Sequence, residues 1–414
     1  MSQAARALDR IFRAESGAVL ATLIRVLGDF QLAEDAFQDA LTAALEAWPK
    51  SGLPASPAAW LTTTARRKAL DRLRHSRIGE RKHADWALLT RLEQEGQEPP
   101  DARELTPLAD DQLRLIFTCC HPALSRDARV ALTLRTLGGL SVAEIARAFL
   151  VSEAALAQRL ARAKQKISHA GIPYEVPDRE ALPARLEAAL GVLYLVFNEG
   201  YLATAGRQLV RGNLVEDALR LARGLAALLP DQPESRGLLA LMLLHDARRE
   251  ARIDAAGELV LLEEQDRSQW DQERIREGLQ LIQDALAQRK PGPYQIQAAI
   301  AAVHSEAATA ADTDWPQIVL LYQALLLHEP TPIVELNRAV AVSFASGPSE
   351  GLRALDEIRA SDELEHYSPF HLARADLLRR LERLDQARAC YHRALACSDN
   401  EQVRRFIERR LRAG

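Results

Sequence analysis

The sequence predicts an all-α protein that is built from many short helices. Along most of the chain apolar residues recur every three or four positions, which is the period of one helical face. Aromatic residues make up only 5% of the chain, whereas Ala, Leu and Arg are abundant. Proline and glycine separate one periodic stretch from the next. With 414 residues and 48% hydrophobic content, the chain is long enough for roughly two to four domains with real cores.

The first informative helix spans residues 32–48 and has one apolar and one acidic face. The apolar face consists of Ala33, Ala36, Phe37, Ala40, Leu41, Ala44, Leu45 and Trp48. The opposite face carries Glu34, Asp35, Gln38, Asp39, Thr42 and Glu46. Because this second face points away from the predicted core, we expect a solvated acidic stripe that suits a protein partner.

A basic helix follows a proline-containing loop and spans residues 59–77. Residues 60–82 carry eight Lys or Arg against two Asp or Glu, a net charge of plus six. The same stretch keeps an apolar seam at Leu61, Ala65, Ala69, Leu70 and Leu73. An acidic surface for a protein beside a basic surface for phosphates is typical of an adaptor that carries an enzyme onto nucleic acid.

This pair of helices resembles region 2 of an extracytoplasmic-function (ECF) sigma factor of bacterial RNA polymerase. The resemblance lies in Gly28-Asp, Ala33-Glu-Asp-Ala-Phe-Gln-Asp-Ala, Ala59-Trp-Leu, Ala65-Arg-Arg and Ala69-Leu-Asp-Arg-Leu-Arg. It implies that the first helix binds the β′ clamp helices of core RNA polymerase, through Glu34, Asp35, Gln38 and Asp39. It implies that the second helix binds the minus-ten promoter element, through Arg66, Arg67, Lys68, Arg72 and Arg74. The family often has Asn where this chain has Arg67, so the resemblance supports phosphate binding there and not base reading.

A helix-turn-helix is predicted by residues 137–167. Ser141 and Glu144 fit a capping box at the start of the first helix, and Ser152 is a natural cap for the second. The second helix has an apolar seam at Leu156, Leu160, Ala163 and Ile167. Its outward positions predict a DNA-recognition surface in the major groove, where Gln and Arg pair with bases and later cations hold phosphates. The predicted DNA-binding residues are Ser152, Gln158, Arg159, Arg162 and Lys166.

Residues 107–167 resemble region 4 of the same sigma factors, which binds the minus-thirty-five element as duplex DNA. Region 4 after region 2 is the order found in that family. The segment between them is charged and poor in apolar residues, as in a flexible tether. We therefore expect a region 2 domain at 1–84, a linker at 85–106, a region 4 domain at 107–170 and an extension at 171–414.

Charge is segregated along the chain, although the net charge of the whole is minus four. Residues 1–170 hold 24 Lys or Arg and 20 Asp or Glu, whereas the remainder holds 29 and 37. The basic surface is therefore confined to the two predicted DNA modules.

Several classes of function are disfavoured by what the sequence lacks. No phosphate-binding loop, dinucleotide fingerprint, zinc-protease motif or nucleophile elbow occurs, so we expect no enzyme and no cofactor. Cys119-Cys120-His121 follows an apolar helix, which favours buried thiols over a metal site. No apolar run is long enough to span a membrane and the N-terminus lacks a signal peptide's core, so we expect a cytoplasmic protein.

From about residue 180 the chain predicts a series of helices separated by proline and glycine. Residues 373–395 resemble one tetratricopeptide repeat, and two similar units lie thirty-five residues apart, near the period of that repeat. The alternative is an irregular helical domain with one or two real repeats. The least generic segments of the extension are Asn198-Glu-Gly-Tyr201 and residues 254–266. Gly200, in the first of these segments, could cap a helix. The predicted helices are 182–198, 215–229, 234–247, 274–288, 294–308, 315–327, 332–345, 349–360, 369–381 and 386–396.

The whole arrangement resembles a subgroup of ECF sigma factors with a long tetratricopeptide-like C-terminal extension. The sequence segments that carry this resemblance are Phe117-Thr-Cys-Cys-His-Pro, Leu140-Ser-Val-Ala-Glu-Ile-Ala-Arg, Leu195-Val-Phe-Asn-Glu-Gly-Tyr and Leu239-Ala-Leu-Met-Leu-Leu-His-Asp-Ala-Arg. It implies core RNA polymerase (β′ and β subunits) and promoter DNA as partners, with a possible regulatory protein on the extension and no membrane. A stand-alone helix-turn-helix regulator with a repeat-type sensor domain is the alternative, and a repeat scaffold with merely structural N-terminal helices is a third hypothesis. The acidic helix argues against the stand-alone regulator, which has no use for it. The charge segregation along the chain argues against the repeat scaffold.

Overall fold

The computed structural model describes residues 16–75, 105–149, 151–201, 212–254, 258–358, 362–398 and 400–413. Helices dominate these residues, and the only extended pairing among them is a single bridge between Ile253 and Leu259. The predicted all-α class is therefore confirmed. The chain divides into two compact units, Met1–Leu195 and Val196–Gly414. Within the described ranges, no helix combines the length and the apolar character that crossing a bilayer demands.

The first unit contains seven helices within the described ranges, and an eighth runs from it into the second unit. Helix α1 covers residues 16–27. The others are α2 (Phe30–Ser51), α3 (Pro57–His75), α4 (Leu105–Cys119), α5 (Arg126–Thr136), α6 (Val142–Ala148), α7 (Glu153–His169) and α8 (Leu182–Tyr201).

Helices α2 and α3 pack on each other through the apolar seams that the sequence predicts. Phe37 on α2 and Leu61 on α3 are buried, as are the alanines one and two turns further along both helices. The Trp48 and Trp60 rings meet edge to face, with centroids 5.4 Å apart, where the two helices approach. Leu45 departs from the prediction, since 52% of it is exposed.

The second unit is a succession of helices, most of them packed on the next. They are α9 (Gly212–Leu228), α10 (Pro233–Asp246), α11 (Gln272–Ala287), α12 (Pro293–Glu306), α13 (Trp315–Leu326), α14 (Pro332–Ala345), α15 (Pro348–Glu357), α16 (Asp362–Glu365), α17 (Ser368–Arg380), α18 (Leu384–Ala396) and α19 (Glu401–Ala413). Two 3₁₀ turns lie between α10 and α11, at Glu250–Arg252 and Arg267–Gln269. Helices α16 and α19 were not among the predicted helices.

Glycines allow the helices of this unit to approach closely. A Cβ on Gly237 of α10 would lie 2.8 Å from the backbone nitrogen of Gln295 on α12. One on Gly200 of α8 would lie 2.9 Å from the backbone nitrogen of Val215 on α9. Gly200 therefore serves helix packing inside α8, and the prediction that it caps a helix is wrong.

Arg252 joins the two segments of the extension that are least generic in sequence. Its side chain is almost fully buried and lies over the Tyr201 ring, with the guanidinium carbon 3.9 Å from the ring centroid. It also donates a hydrogen bond to the Tyr201 carbonyl, at 2.5 Å. Tyr201 ends the first segment, and Arg252 lies two residues before the start of the second.

A buried carboxylate ties α10 to α11. The Asp246 side chain is 1% exposed and accepts hydrogen bonds from Arg249, at 2.6 Å, and from Arg274 of α11. Glu216 of α9 accepts from the same two guanidiniums, at 3.0 and 2.8 Å. A buried ion is tolerated only with such complete pairing, because an unpaired one loses its hydration without compensation.

Asp246→Ala is expected to destabilise the second unit by about 3 kcal/mol, because it leaves two guanidiniums without their buried partner. Urea unfolding followed by circular dichroism would measure this. The matched control is Glu350→Ala, which breaks an exposed pair with Arg353 and should change stability by less than about 0.5 kcal/mol. Equal effects of the two substitutions would contradict the structural role of Asp246.

Candidate protein- and nucleic-acid-binding surfaces

The acidic face of α2 starts at a capped N-terminus. The Asp29 carboxylate accepts a hydrogen bond from the Leu32 amide, at 2.8 Å. Asp35 and Asp39 follow on one side of the helix with exposed Gln38 between them. Their side chains remain 41% and 35% exposed, so a partner protein can reach all three residues.

Arg72 of α3 binds both of these aspartates. Its guanidinium lies 3.2 Å from an Asp35 oxygen and 2.7 Å from an Asp39 oxygen. The sequence placed these residues on separate acidic and basic surfaces, whereas the structure joins them at one edge. Because this network is largely exposed, a competing partner can displace it at a cost of about 1 kcal/mol or less per pair.

Glu34 does not lie on the solvated stripe, and that expectation is wrong. It is buried and contacts two cations from the predicted region 4. Arg135 of α5 donates to one of its oxygens at 3.3 Å, and Lys164 of α7 donates to the other. Glu34 borders the apolar positions Ala33 and Phe37, so it turns inward once another helix covers that edge of α2. Helical periodicity alone does not show which edge is covered.

Three more contacts hold the same two parts of the first unit together. Arg25 of α1 forms an ion pair with Asp111 of α4, at 2.8 Å, and the Asp111 side chain is only 2% exposed. The Tyr174 hydroxyl lies 2.7 Å from the Ala21 carbonyl and 3.1 Å from the Asp111 carbonyl. The backbone of Leu137 approaches Gly17 closely, since a Cβ on Gly17 would lie 3.3 Å from the Leu137 carbonyl oxygen.

The basic face of α3 is exposed to solvent, whereas its apolar seam is buried. Arg67 and Lys68 are exposed and make no hydrogen bond or ion pair with the described residues. Arg66 is half-buried, and Arg72 is occupied by the two aspartates. The side chain of Arg74 lies outside what the structure describes. Among the described side chains of the predicted minus-ten set, Arg67 and Lys68 are therefore the most accessible to a ligand.

The helix-turn-helix has the caps that the sequence predicts. Ser141 and Glu144 form the reciprocal capping box of α6. The Ser152 hydroxyl accepts from the Ala155 amide, at 3.2 Å, so it caps α7 while remaining exposed. The predicted seam of α7 is buried as a set: Leu156, Leu160, Ala163 and Ile167.

The outward residues of α7 differ in how free they are. Gln158 and Arg162 are exposed, with no hydrogen bond or ion pair to any residue that the structure describes. Arg159 lies 3.4 Å from Asp127 of α5, and the Lys166 ammonium donates to the Ala123 carbonyl. Arg159 and Lys166 are therefore less free than Gln158 and Arg162, although both of their partners are exposed.

The adjacent cysteines are packed inside the first unit. Cys119 lies 3.2 Å from the Thr136 hydroxyl, and Cys120 lies 3.5 Å from that of Thr133. Burial raises the pKa of both thiols, to about 11 for Cys120. Such thiols are inert at neutral pH. Within the described ranges, no cluster of His, Cys, Asp or Glu is arranged to hold a metal ion.

Comparisons with known families match three parts of the chain. The family described as sigma-70 region 2 matches residues 11–78, and sigma-70, region 4, matches residues 114–167. A family of unknown function (DUF6596) matches residues 185–286, within the predicted extension. No solved structure matches the chain.

One relative matches nearly the full length. It is the uncharacterized protein R00370 of Rhizobium meliloti (strain 1021), which is 44% identical over 392 residues. The match covers 95% of this chain and 92% of the relative. Regions 2 and 4 occur in the order typical of ECF sigma factors, followed by the DUF6596 segment. The chain therefore belongs to the sigma-70 family, as an ECF-like sigma factor with a C-terminal extension.

Proposed function

We propose that this chain binds core RNA polymerase through the exposed acidic face of α2, and directs it to promoters through α3 and α7. The two sigma regions indicate a role in transcription initiation, with core polymerase and promoter DNA as partners. The observation that carries the finer assignment is the acidic face of α2 beside the basic face of α3. A protein surface and a phosphate surface on adjacent helices are what a polymerase adaptor needs.

In this assignment Asp35, Gln38 and Asp39 bind the β′ clamp helices, and the β subunit completes the contact with core polymerase. Glu34 can join them only if α5 and α7 move away from α2, because Arg135 and Lys164 now cover it. Arg67 and Lys68 bind phosphates near the minus-ten element, together with Arg66, Arg72 and Arg74. Ser152, Gln158, Arg159, Arg162 and Lys166 form the surface for the minus-thirty-five element.

We further propose that the extension controls this activity as a scaffold that positions the sigma domains and receives a regulatory input. What supports this is its size, because residues 171–414 far exceed what a simple plug would require. Helices α17 and α18, which contain the predicted tetratricopeptide-like unit, pack as a hairpin with buried alanines at 375, 387 and 394. Small residues at such a seam are typical of stacked helical repeats.

The stand-alone regulator remains the second candidate, because a helix-turn-helix with free Gln158 and Arg162 can bind duplex DNA without polymerase. The two candidates differ in what α2 must do. A regulator that acts alone has no use for exposed acidic residues at Asp35 and Asp39, so the polymerase contact is the discriminating test.

Asp35→Lys with Asp39→Lys is expected to lower core polymerase binding by at least about tenfold, because two attractive charges become repulsive. A pull-down titration with purified core would measure it, and circular dichroism should show unchanged helix content. Glu187→Lys is the matched control, since it reverses an exposed charge on α8 that belongs to none of the proposed binding surfaces. Binding that is equally strong in the double variant and the control would overturn this assignment.

Arg67→Ala with Lys68→Ala should weaken promoter binding by the holoenzyme on every sequence and reduce its salt dependence. Each lost phosphate contact removes about one unit from the slope of log affinity against log salt. Arg159→Ala should instead cost about 1–3 kcal/mol at one base pair of the upstream element.

Binding of holoenzyme to a panel of upstream elements, at several salt concentrations, separates these two behaviours. If Arg159→Ala lowers affinity equally on all upstream sequences, then Arg159 holds a phosphate and the base-reading role is wrong. An unchanged salt slope in the Arg67 and Lys68 variant would refute their phosphate contacts.

A further inference from the structure

The second unit contains a half-open cavity of about 310 Å³ that is lined on one side by the non-helical segment 258–266. Leu259 and Leu261 of that segment form one wall. The opposite wall comes from α14, α17 and α19, through Phe344, Leu372 and Phe406. The volume is at the small end of the range for small-molecule sites, about 300–1,000 Å³, and the predominantly apolar lining is typical of them.

The segment over the cavity is held in place at both ends. The bridge between Ile253 and Leu259 fixes its start, and the Val260 amide donates to the Arg252 carbonyl at 2.9 Å. Glu264 is paired with Arg410 of α19 at 3.1 Å. This is the stretch, within residues 254–266, that the sequence marks as least generic. It therefore forms a wall that is held in place by its own contacts with the protein, before any ligand binds.

The aromatic rings of Trp315 and Phe344, which also line the cavity, are held in place by their own contacts. Trp315 stacks on Phe344, with ring centroids 4.2 Å apart and an angle of 12° between the planes. Arg380 lies over the Phe344 ring at 4.8 Å and donates to the Ser343 hydroxyl and carbonyl, both at 3.2 Å. These contacts fix the rings before any ligand arrives, which lowers the entropic cost of binding.

Most charges at the cavity already have partners. Arg267 donates to the carbonyls of His304 and Ala307, both at 2.6 Å. Arg380 is occupied as above, and Arg410 is paired with Glu264. Asp376 accepts from Arg379 at 2.7 Å.

Glu263 is the exception among these charged groups. It lines the cavity, is exposed to solvent, and forms no hydrogen bond or ion pair with any residue in the described ranges. Partial burial raises its pKa, and the neighbouring carboxylates Asp376 and Glu264 add to that rise, while Arg380 and Arg379 oppose it. A carboxylate that is disfavoured in this way gains from an incoming cation.

We propose that this cavity is a binding site for a small, largely apolar organic cation, with a primary amine or guanidinium group. The apolar body would lie between Leu261, Leu372 and Phe406, and the cationic group would donate hydrogen bonds to Glu263. Such a ligand touches both the non-helical segment and the helices α14, α17 and α19, so its binding stabilises their association. The site lies wholly within the second unit, so its test does not depend on the sigma-factor assignment.

Three probes with the same apolar body test the proposal on the full chain: 4-phenylbutylamine, 4-phenylbutanol and 4-phenylbutyrate. Isothermal titration calorimetry should show that the amine binds at least about tenfold more tightly than the alcohol, because a charge-assisted hydrogen bond is stronger than a neutral one. The carboxylate should not bind measurably.

Two variants locate the site. Glu263→Gln should reduce the affinity for the amine about tenfold and leave that for the alcohol unchanged, since only the charge is lost. Glu273→Gln, an exposed glutamate away from the cavity, is the matched control and should change neither affinity. Ala373→Phe should fill the cavity and abolish binding of both probes.

If Ala373→Phe proves not to fold by circular dichroism, Glu263→Gln still decides, because this exposed side chain supports no fold contact in the described structure. The proposal is overturned if none of the probes binds, if the carboxylate binds as well as the amine, or if Glu263→Gln leaves the affinity for the amine unchanged.

Discussion

The buried Glu34 carboxylate couples α2, the helix that we assign to polymerase binding, with α5 and with α7, the second helix of the helix-turn-helix. It accepts hydrogen bonds from Arg135 and Lys164, each on a different helix. Breaking a buried pair of this kind by removing one partner costs about 3–5 kcal/mol, because the remaining charges lose their compensation. Glu34 therefore fixes which edge of α2 is covered and, by the helical period, which side of α2 faces solvent. Asp35 and Asp39 are accessible because Glu34 is not.

The predicted surfaces of the first unit are also partly occupied by other residues of the same unit. Arg72 of the basic helix neutralises the acidic face, and Arg159 of the recognition helix is paired with Asp127. These outer pairs are exposed and weak, so polymerase or DNA can replace them. The inner contacts of Glu34 and Asp111 are buried and strong. The same chain thus combines readily exchanged surfaces with a firmly held internal contact.

The parts that sequence could predict are those set by local rules. Helix ends in the extension agree with their predicted positions to within about three residues, because proline, glycine and the apolar period mark them. The capping box of Ser141 and Glu144 and the seam of α7 follow from fixed spacings. Glu34, Gly200 and Arg252 could not be placed in this way, since each depends on a helix or segment distant in sequence. The sequence predicts a set of cations on α3, but the pairing of Arg72 with the aspartates depends on tertiary structure.

We propose that this chain initiates transcription only together with core RNA polymerase. The most direct measurement is in vitro transcription from the DNA upstream of its own coding sequence, with the purified full-length chain and core polymerase. We expect a discrete transcript when both proteins are present and none when either protein is omitted. Tight binding of the chain alone to that duplex, with no transcript on adding core polymerase, would contradict it and favour a stand-alone helix-turn-helix regulator.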